Sequence, residues 1–327
     1  MTTQKTARAH TNIALIKYWG KAQKDLKLPL MSSLSMTLDA FYTDTTFKHG
    51  ADLTEDSFFL NGKKQDLKNS KRVFNYVHRL QQMYGFDDHF KISSVNHVPT
   101  AAGLASSASA FAALAASFAS SYNLSLDKKE LSKLARLGSG SATRSIYGGF
   151  VLWKKGNSHD TSFATVITEN PQWDLQMLAI ELDTQPKKIS SSSGMKLAQT
   201  SPFYQSWLAH NQEEIALMKE AIQNKDFTQL GELSELSANE MHSLNLTSHP
   251  SFTYFTPQTM ALINLVHELR QQGVECYYTI DAGPNVKILT QRKNNKKIVS
   301  AVQDLFPNVK IVSAGFGPGV TILNEQY

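Results

Sequence analysis

The chain has 327 residues, long for one compact domain and comfortable for two. With 41% hydrophobic and 19% charged residues it has the composition of a folded globular protein, not of a chain disordered throughout. The formal net charge of +5 favours anionic partners. No helix-turn-helix, zinc-finger or aromatic–basic RNA-binding pattern accompanies it, which points away from nucleic acid and toward phosphorylated small molecules.

No segment approaches the roughly 18 consecutive apolar residues of a membrane span. The polar residues 1–12 carry no apolar signal core, so the expectation is a cytoplasmic protein without membrane partners. The one cysteine, Cys276, excludes an intrachain disulfide and lies in the apolar run GVECYYTI, where it reads as a buried structural thiol.

Taken in chain order, residues 7–19 and 33–47 have the mixed and partly alternating pattern of strands. Residues 57–60 run into Asn61-Gly62, a strong hairpin signal. A helix is expected over 70–84, a strand over 89–97, and an alanine-rich helix over 104–122, with Leu104, Phe111, Leu114, Phe118 and Tyr122 on one stripe. A helix over 127–137 and a strand over 147–153 follow. The second half opens with a strand over 176–182 and a serine-rich segment at 190–193. Helices are expected over 201–223, 227–244 and 256–272, the last stopped at Gly273. Strands at 276–280 and 286–289 flank the turn Gly283-Pro284-Asn285, and a helix at 295–305 and two short strands close the chain. The whole reads as α+β, with domains at 1–185 and 186–327 divided where the pattern changes.

Five segments carry candidate chemistry. PTAAGLASSASA, residues 99–110, lies between a strand and a helix; Gly103 permits a tight turn, and Ser106, Ser107 and Ser109 open the helix. A helix N-terminus offers unpaired N–H groups to phosphate, although a merely capped core helix fits the same residues. It is not a Walker A loop, because the Gly-Lys-Ser/Thr ending is missing. NIALIKYWGK, residues 12–21, brings Lys17, Tyr18 and Lys21 to a turn at Gly20, suited to a doubly anionic ligand or to an edge strand with solvated lysines. In GSGSATRSIYGG, residues 138–149, serines and the Arg144 fork make a carboxylate or phosphate clamp, or a flexible loop. KKISSSSGM, residues 187–195, again suits phosphate, or an exposed linker. Asp281 ends an apolar strand before Gly-Pro-Asn, where it can face a cleft as a base or cap a turn. The ten histidines show no zinc-type spacing, so His10 and His97 read as structural, and there is no G-x-S-x-G elbow.

PTAAGLASSASA resembles the second motif of the GHMP kinase superfamily. NIALIKYWGK, GSGSATRS and DAGPNVK together look like the diphosphomevalonate decarboxylase family in its bacterial form, over nearly the whole chain. The resemblance implies the two-domain GHMP α+β fold, an active site in the cleft between domains, and a homodimer. It implies ATP-dependent decarboxylation of mevalonate 5-diphosphate to isopentenyl diphosphate through transient 3-O-phosphorylation, with Mg2+ accompanying ATP.

By motif it implies Asp281 as the catalytic aspartate, Lys17 as its partner, and Asn12 and Arg144 beside them. Tyr18, Trp19, Gly20 and Lys21 would meet the substrate, as would Ser139, Gly140, Ser141, Ala142, Thr143 and Arg144, and Ser191 with Ser192. Ser94, Pro99, Ala102, Gly103, Leu104, Ala105, Ser106, Ser107 and Lys187 would hold ATP, with Ser106 as a magnesium contact. Two positions depart from the pattern: Met31 stands where members often have Asn, and Ser192 where staphylococcal-type sequences often have Arg. The same superfamily also contains kinases that stop at the phosphorylated product. A decarboxylase acting on mevalonate 5-phosphate and a non-catalytic nucleotide-binding protein are further alternatives, the last disfavoured by the intact Lys17, Arg144 and Asp281.

Overall fold

The computed structural model describes residues 3–23, 25–98, 106–183, 185 and 187–323. Its first half is built on two long antiparallel strands, β1 (Thr3–Ile16) and β4 (Ser33–His49), with a small ribbon of β2 (Lys21–Gln23) and β3 (Leu28–Pro29) between them in sequence. β5 (Ser57–Leu60) and β6 (Lys63–Lys64) form the expected hairpin, with Asn61 and Gly62 both at positive φ (49° and 77°) as a tight two-residue turn requires. α1 (Leu67–Tyr84) begins on an Asp66 cap and ends at Gly85 in the left-handed region. β7 (Phe90–Asn96), α2 (Ser106–Ser121) and α3 (Lys128–Gly138) follow. A 3-10 helix at Gly140–Ile146 leads into β8 (Phe150–Trp153) and β9 (Ala164–Thr168). Eight strands share one sheet, ordered β14-β1-β4-β7-β5-β6, with β8 pairing on β4 and β9 on β8; β14 (Thr321–Leu323) comes from the far end of the chain.

α2 is buried nearly all round, and its alanines let it lie close against β1 and β4. Phe111, Leu114 and Phe118 pack there with Phe47, Phe90 and Ile92 of the sheet and Val77 and Leu80 of α1.

The second half holds a four-stranded antiparallel sheet, β11-β12-β10-β13. Its strands are β10 (Leu175–Glu181), β11 (Cys276–Ile280), β12 (Val286–Gln291) and β13 (Lys310–Ala314). The helices are α4 (Ser191–Ala198), α5 (Tyr204–Asn224), α6 (Phe227–Leu246), α7 (Pro257–Gln271) and α8 (Asn295–Leu305). Along β10, Leu178 and Ile180 join the core under α7 and α8, while Met177 and Ala179 join the core that includes α5 and α6. This period-two division buries the sheet on both faces. The second of these cores also contains Ile13, Leu34, Met36, Leu38 and Phe150 from the first sheet, so one apolar mass joins the two halves. Cys276 is buried against α7, and burial pushes its thiol up to about 12, which leaves it an inert packing residue.

The chain differs from the sequence expectations at four places. Residues 140–146, which could have been a flexible loop, form the 3-10 helix, because Ala142, Thr143 and Ile146 are taken into the core. The serine-rich segment is a helix start, with the Ser190 hydroxyl accepting from the Ser193 N–H. The β2–β3 ribbon and the strand β9 have no counterpart among the expected elements. None of the described helices is long and apolar enough to cross a membrane.

Between α5 and α6, Glu214 is buried and neither of its carboxylate oxygens has a hydrogen-bond donor among the described residues. Burial first, then the charge of Glu240, pushes its carboxyl up to about 8. The folded state therefore keeps a proton that the unfolded chain releases near pH 4.5, and stability is lost as pH climbs from there toward 8. Glu214→Gln removes this dependence: Tm near wild type at pH 5, and higher by roughly 3 °C or more at pH 8.5. Parallel Tm–pH curves for the two proteins in calorimetry would refute the assignment.

Candidate active site

β1 and β4 do not run in simple register. The pairing shifts between His10 and Asn12 and again between Ala14 and Ile16. Such irregularities bend a strand and re-aim its side chains. Here they turn Asn12 and Lys17 toward the space between the two halves. The Lys17 backbone N–H donates to Ser237 Oγ of α6 at 3.0 Å, and its fully buried side chain donates to the Ala14 carbonyl at 2.9 Å. The same ammonium reaches Asp281 Oδ1 at 2.8 Å.

Asp281 is the first residue after β11, and its turn is held on every side. His242 bonds the Ile280 carbonyl (3.3 Å), and Thr259 Oγ1 donates to the Pro284 carbonyl (2.8 Å). Asn285 exchanges two bonds with the Asp183 backbone (2.9 and 3.0 Å), and Lys287 Nζ donates to the Asn285 carbonyl (3.1 Å). The carboxylate keeps about a quarter of its side-chain surface exposed, 25% against 1% for Lys17. Burial opposes its charge, but Lys17, Lys287 and Lys187 together hold it below the usual carboxylate range. Burial pushes Lys17 below the usual lysine range despite the pull of Asp281, and brings Lys287 down to about 8. Burial, and then Lys17, press His242 down to about 3, so it faces these lysines as a neutral ring.

Arg144, on the 3-10 helix, is buried, and burial lowers it to about 10, still charged at neutral pH. Its Nε donates to Asn12 Oδ1 (3.2 Å) and its fork to Ser33 Oγ, and the guanidinium stands 5.9 Å from the Trp153 ring centre. Asn12 in turn donates to the Ser141 carbonyl (3.0 Å) and to Ser145 Oγ (2.8 Å), so one amide orients the arginine and ties down the helix bearing it. Gly140 is required there: a Cβ would lie 2.9 Å from Trp153 and 3.0 Å from Tyr18. The Tyr18 hydroxyl is buried, and burial raises its pKa; it has no hydrogen-bond partner among the described residues.

Asn12, Lys17, Tyr18, Arg144 and Asp281 line a cavity of about 920 Å3. Of the residues expected to bind ligand, Asn12, Lys17, Tyr18, Trp19, Lys21, Ser107, Ser139, Gly140, Ser141, Arg144, Lys187, Ser191, Ser192 and Asp281 stand on its wall. Ser139 links Ser107 and Ser141 through hydroxyl contacts of 3.2 Å each, and Lys21 Nζ donates to Ser192 Oγ (3.0 Å) across the cleft. Gly20 is not on the wall; its lack of a side chain makes room for the Tyr204 hydroxyl, which donates to the Trp19 carbonyl (2.9 Å). Ala142 and Thr143 are buried behind the wall, with Thr143 Oγ1 donating to the Gly140 carbonyl (2.7 Å). Ser94 lies within the sheet, its hydroxyl engaged with Thr45 (2.9 Å), and Ser106 is exposed at the start of α2 while its neighbour Ser107 faces the cavity. Pro99, Ala102, Gly103, Leu104 and Ala105 lie outside the described residues. Met31 packs with Trp19, Tyr204 and Trp207 instead of facing the cavity.

The sequence reading missed a basic wall. Lys68, Lys71, Arg72, Asn75 and Arg79 of α1 line the cavity together with Lys27. Their i, i+3, i+4, i+7, i+11 spacing was a legible polar stripe, although such a stripe more often faces plain solvent. Among the described lining residues the only carboxylates are Asp25 and Asp281, far outnumbered by lysines and arginines. No group of three or more His, Cys, Asp or Glu able to hold a metal occurs among the described residues. The arrangement is that of a long polyanion site with an ionised carboxylate and a buried guanidinium at its floor.

Residues 9–164 match a family described as diphosphomevalonate decarboxylase-like N-terminal domain, and residues 177–318 one described as mevalonate 5-diphosphate decarboxylase C-terminal domain. The diphosphomevalonate decarboxylase of Ganoderma lucidum is 36% identical over 96% of this chain and 85% of its own. The human diphosphomevalonate decarboxylase is 35% identical over 92% of this chain and 80% of its own. Among solved structures, the mevalonate diphosphate decarboxylase of Staphylococcus aureus superposes with a TM-score of 0.95 at 46% identity over 99% of both chains. That of Enterococcus faecalis, described by its mevalonate diphosphate mediated ATP binding mechanism, gives a TM-score of 0.94 at 45% identity over 99% of this chain and 100% of its own. The chain, with its α+β two-sheet fold and cation-lined cleft, belongs to the diphosphomevalonate decarboxylase family.

Proposed function

We propose that the cleft carries out the ATP-dependent decarboxylation of mevalonate 5-diphosphate to isopentenyl diphosphate, releasing ADP, phosphate and carbon dioxide. The observation that carries this reading is the 2.8 Å Lys17–Asp281 pair at the floor of a cation-lined cavity, with buried Arg144 on the same wall. The substrate alcohol is tertiary and a poor nucleophile. A carboxylate held ionised and within about 3 Å of that hydroxyl can take or orient its proton. Asp281 is that group, and Lys17 keeps it charged and aimed.

The oxygen then accepts the terminal phosphoryl group of ATP, a step that depends mostly on positioning and charge neutralisation. The basic wall and the serines at 107, 139 and 141 serve it. Departure of phosphate from C3 breaks the C–O bond. The electrons of the carboxylate C–C bond close the new double bond, and carbon dioxide leaves. Arg144, fixed by Asn12 and Ser33, orients the reacting carboxylate. It should orient more than it binds, since grip on the ground state alone gives no acceleration. Magnesium would supply charge neutralisation at the ATP phosphates, and Ser107, whose side chain lines the cavity, would help hold it. By the same reading the protein is a cytoplasmic homodimer, which light scattering would show as twice 36.4 kDa.

Incubation with ATP, magnesium and mevalonate 5-diphosphate should yield one carbon dioxide per ADP; ADP alone would mean a kinase that stops at the phosphorylated product. Asp281→Ala should lower kcat by several orders of magnitude, on the order of 10³-fold or more, and a loss under about tenfold would remove Asp281 from this role. Arg144→Ala should cripple turnover with ATP binding nearly unchanged. Because Lys17 depresses the Asp281 pKa, Lys17→Met should move the acid limb of the kcat/KM profile to higher pH as well as lower its plateau. An acid limb that stays in place would contradict the pairing as the tuning interaction.

A further inference from the structure

The turn between β2 and β3 carries one member of the basic wall, Lys27, whose individual role is open. Lys27 has a left-handed backbone (φ 49°), a conformation that costs a non-glycine residue something and persists where surroundings impose it. The surroundings are visible. Arg79 of α1 donates to the Asp25 carbonyl (2.6 Å), and Arg136 of α3 donates to the Leu26 carbonyl (3.0 Å). Two helices therefore bolt this turn to the cleft. The Lys27 ammonium lands on the last carbonyls of α3, those of Leu137 and Gly138, and Arg72 donates to the same Gly138 oxygen. Lys27 and Arg72 reach that oxygen at 2.7 and 3.0 Å, so two cations share one acceptor, and both line the cavity. The next residue, Ser139, is the hydroxyl that links Ser107 and Ser141.

We propose that Lys27 is a phosphate-binding residue of the cleft, acting with Arg72 to hold the terminal phosphate of a diphosphate at the end next to Ser139. The assignment rests on the function proposed above for the diphosphate substrate. Two carbonyls occupy two of the three ammonium N–H donors, leaving one for a ligand in the cavity. The charged groups around the Lys27 turn are Lys21 from β2, Asp25 from the turn itself, Arg72 and Arg79 from α1, and Arg136 from α3, and of these Arg72, Lys21 and Arg79 act on Lys27. Asp25 is the one carboxylate among them. Burial, followed by repulsion from Arg72, Lys21 and Arg79, pushes Lys27 down to about 7. A dianionic phosphate reverses that repulsion and raises the pKa again. Above about pH 7 binding therefore draws a proton onto Lys27, and affinity falls as pH rises further.

Inorganic pyrophosphate is the probe, titrated calorimetrically at pH 8 in two buffers of different ionisation enthalpy. Wild type should take up protons on binding. Lys27→Met should bind about tenfold more weakly and take up fewer protons than wild type, and Lys27→Arg should restore affinity without restoring the lost proton uptake. A Lys27→Met protein that keeps its fold by circular dichroism and matches wild type in both affinity and proton uptake would overturn the assignment. So would a Lys27→Met loss in affinity that Lys27→Arg does not restore, with a lowered Tm, because Lys27 would then only cap α3. Pyrophosphate binding needs no turnover, so a failed decarboxylation assay would leave this result standing and separable.

Discussion

An ammonium and a carboxylate 2.8 Å apart, one fully buried and the other three-quarters so, are costly to remove from water, and such a pair is weak evidence for stability in itself. The rest of the structure can be understood as the set of arrangements that keeps this pair in place. Lys17 is delivered by the end of β1 in the first half, and Asp281 by the end of β11 in the second. The pair therefore exists only while the two halves stay joined, and the common apolar core running from Ile13 and Leu34 through α5 and α6 to Met177 and Leu289 joins them. Each partner is over-determined locally, Lys17 by Ala14 and Ser237, and Asp281 by a turn bonded from His242, Thr259, Asp183 and Lys287. Preorganisation of this kind lets a charged group act without reorganising during a reaction.

The charge pattern follows from the same need. Three lysines near Asp281 keep it ionised, yet burial, with repulsion from Lys17 and Lys187 adding to it, pushes Lys287 down to about 8. Farther out, the α1 stripe and Lys27 repeat the situation on a larger scale, with cations held beside cations in a partly buried wall. Such a wall is strained in isolation and relaxed by a polyanion, so unfavourable self-repulsion in the free protein becomes favourable interaction with the ligand. The shortage of carboxylates on that wall keeps the protein from neutralising itself.

Local pattern carried much of the fold. The long strands at either side of Lys17, the Asn61-Gly62 hairpin, the alanine-rich helix and the three long helices of the second half all follow periodicity and turn chemistry that act within a few residues. The misses occurred where a long-range contact overrode local preference. Residues 140–146 look like a small-residue loop but are wound into a 3-10 helix because Ala142, Thr143 and Ile146 are buried. Ser190 and its neighbours look like a linker until the helix they cap is seen.

Within the site, the sequence by itself determined the chemical types and their motifs: the lysine after NIALI, the arginine in GSGSATRS, the aspartate before GPN, and the serines that accompany them. These are short-range features, legible because a turn, a strand end or a helix start needs particular neighbours. Only the tertiary structure decided which of them meet. It brought Lys17 to Asp281 across 264 positions of chain and set Arg144 on Asn12 and Ser33. It placed Ala142 and Thr143 behind the cavity wall, set Ser94 in the sheet beside Thr45, and recruited Lys27 and one face of α1 to that wall. The physical reason is that burial and mutual distance, which set whether a charge is paired, repelled or exposed, are properties of the packed chain and have no local signature in the sequence.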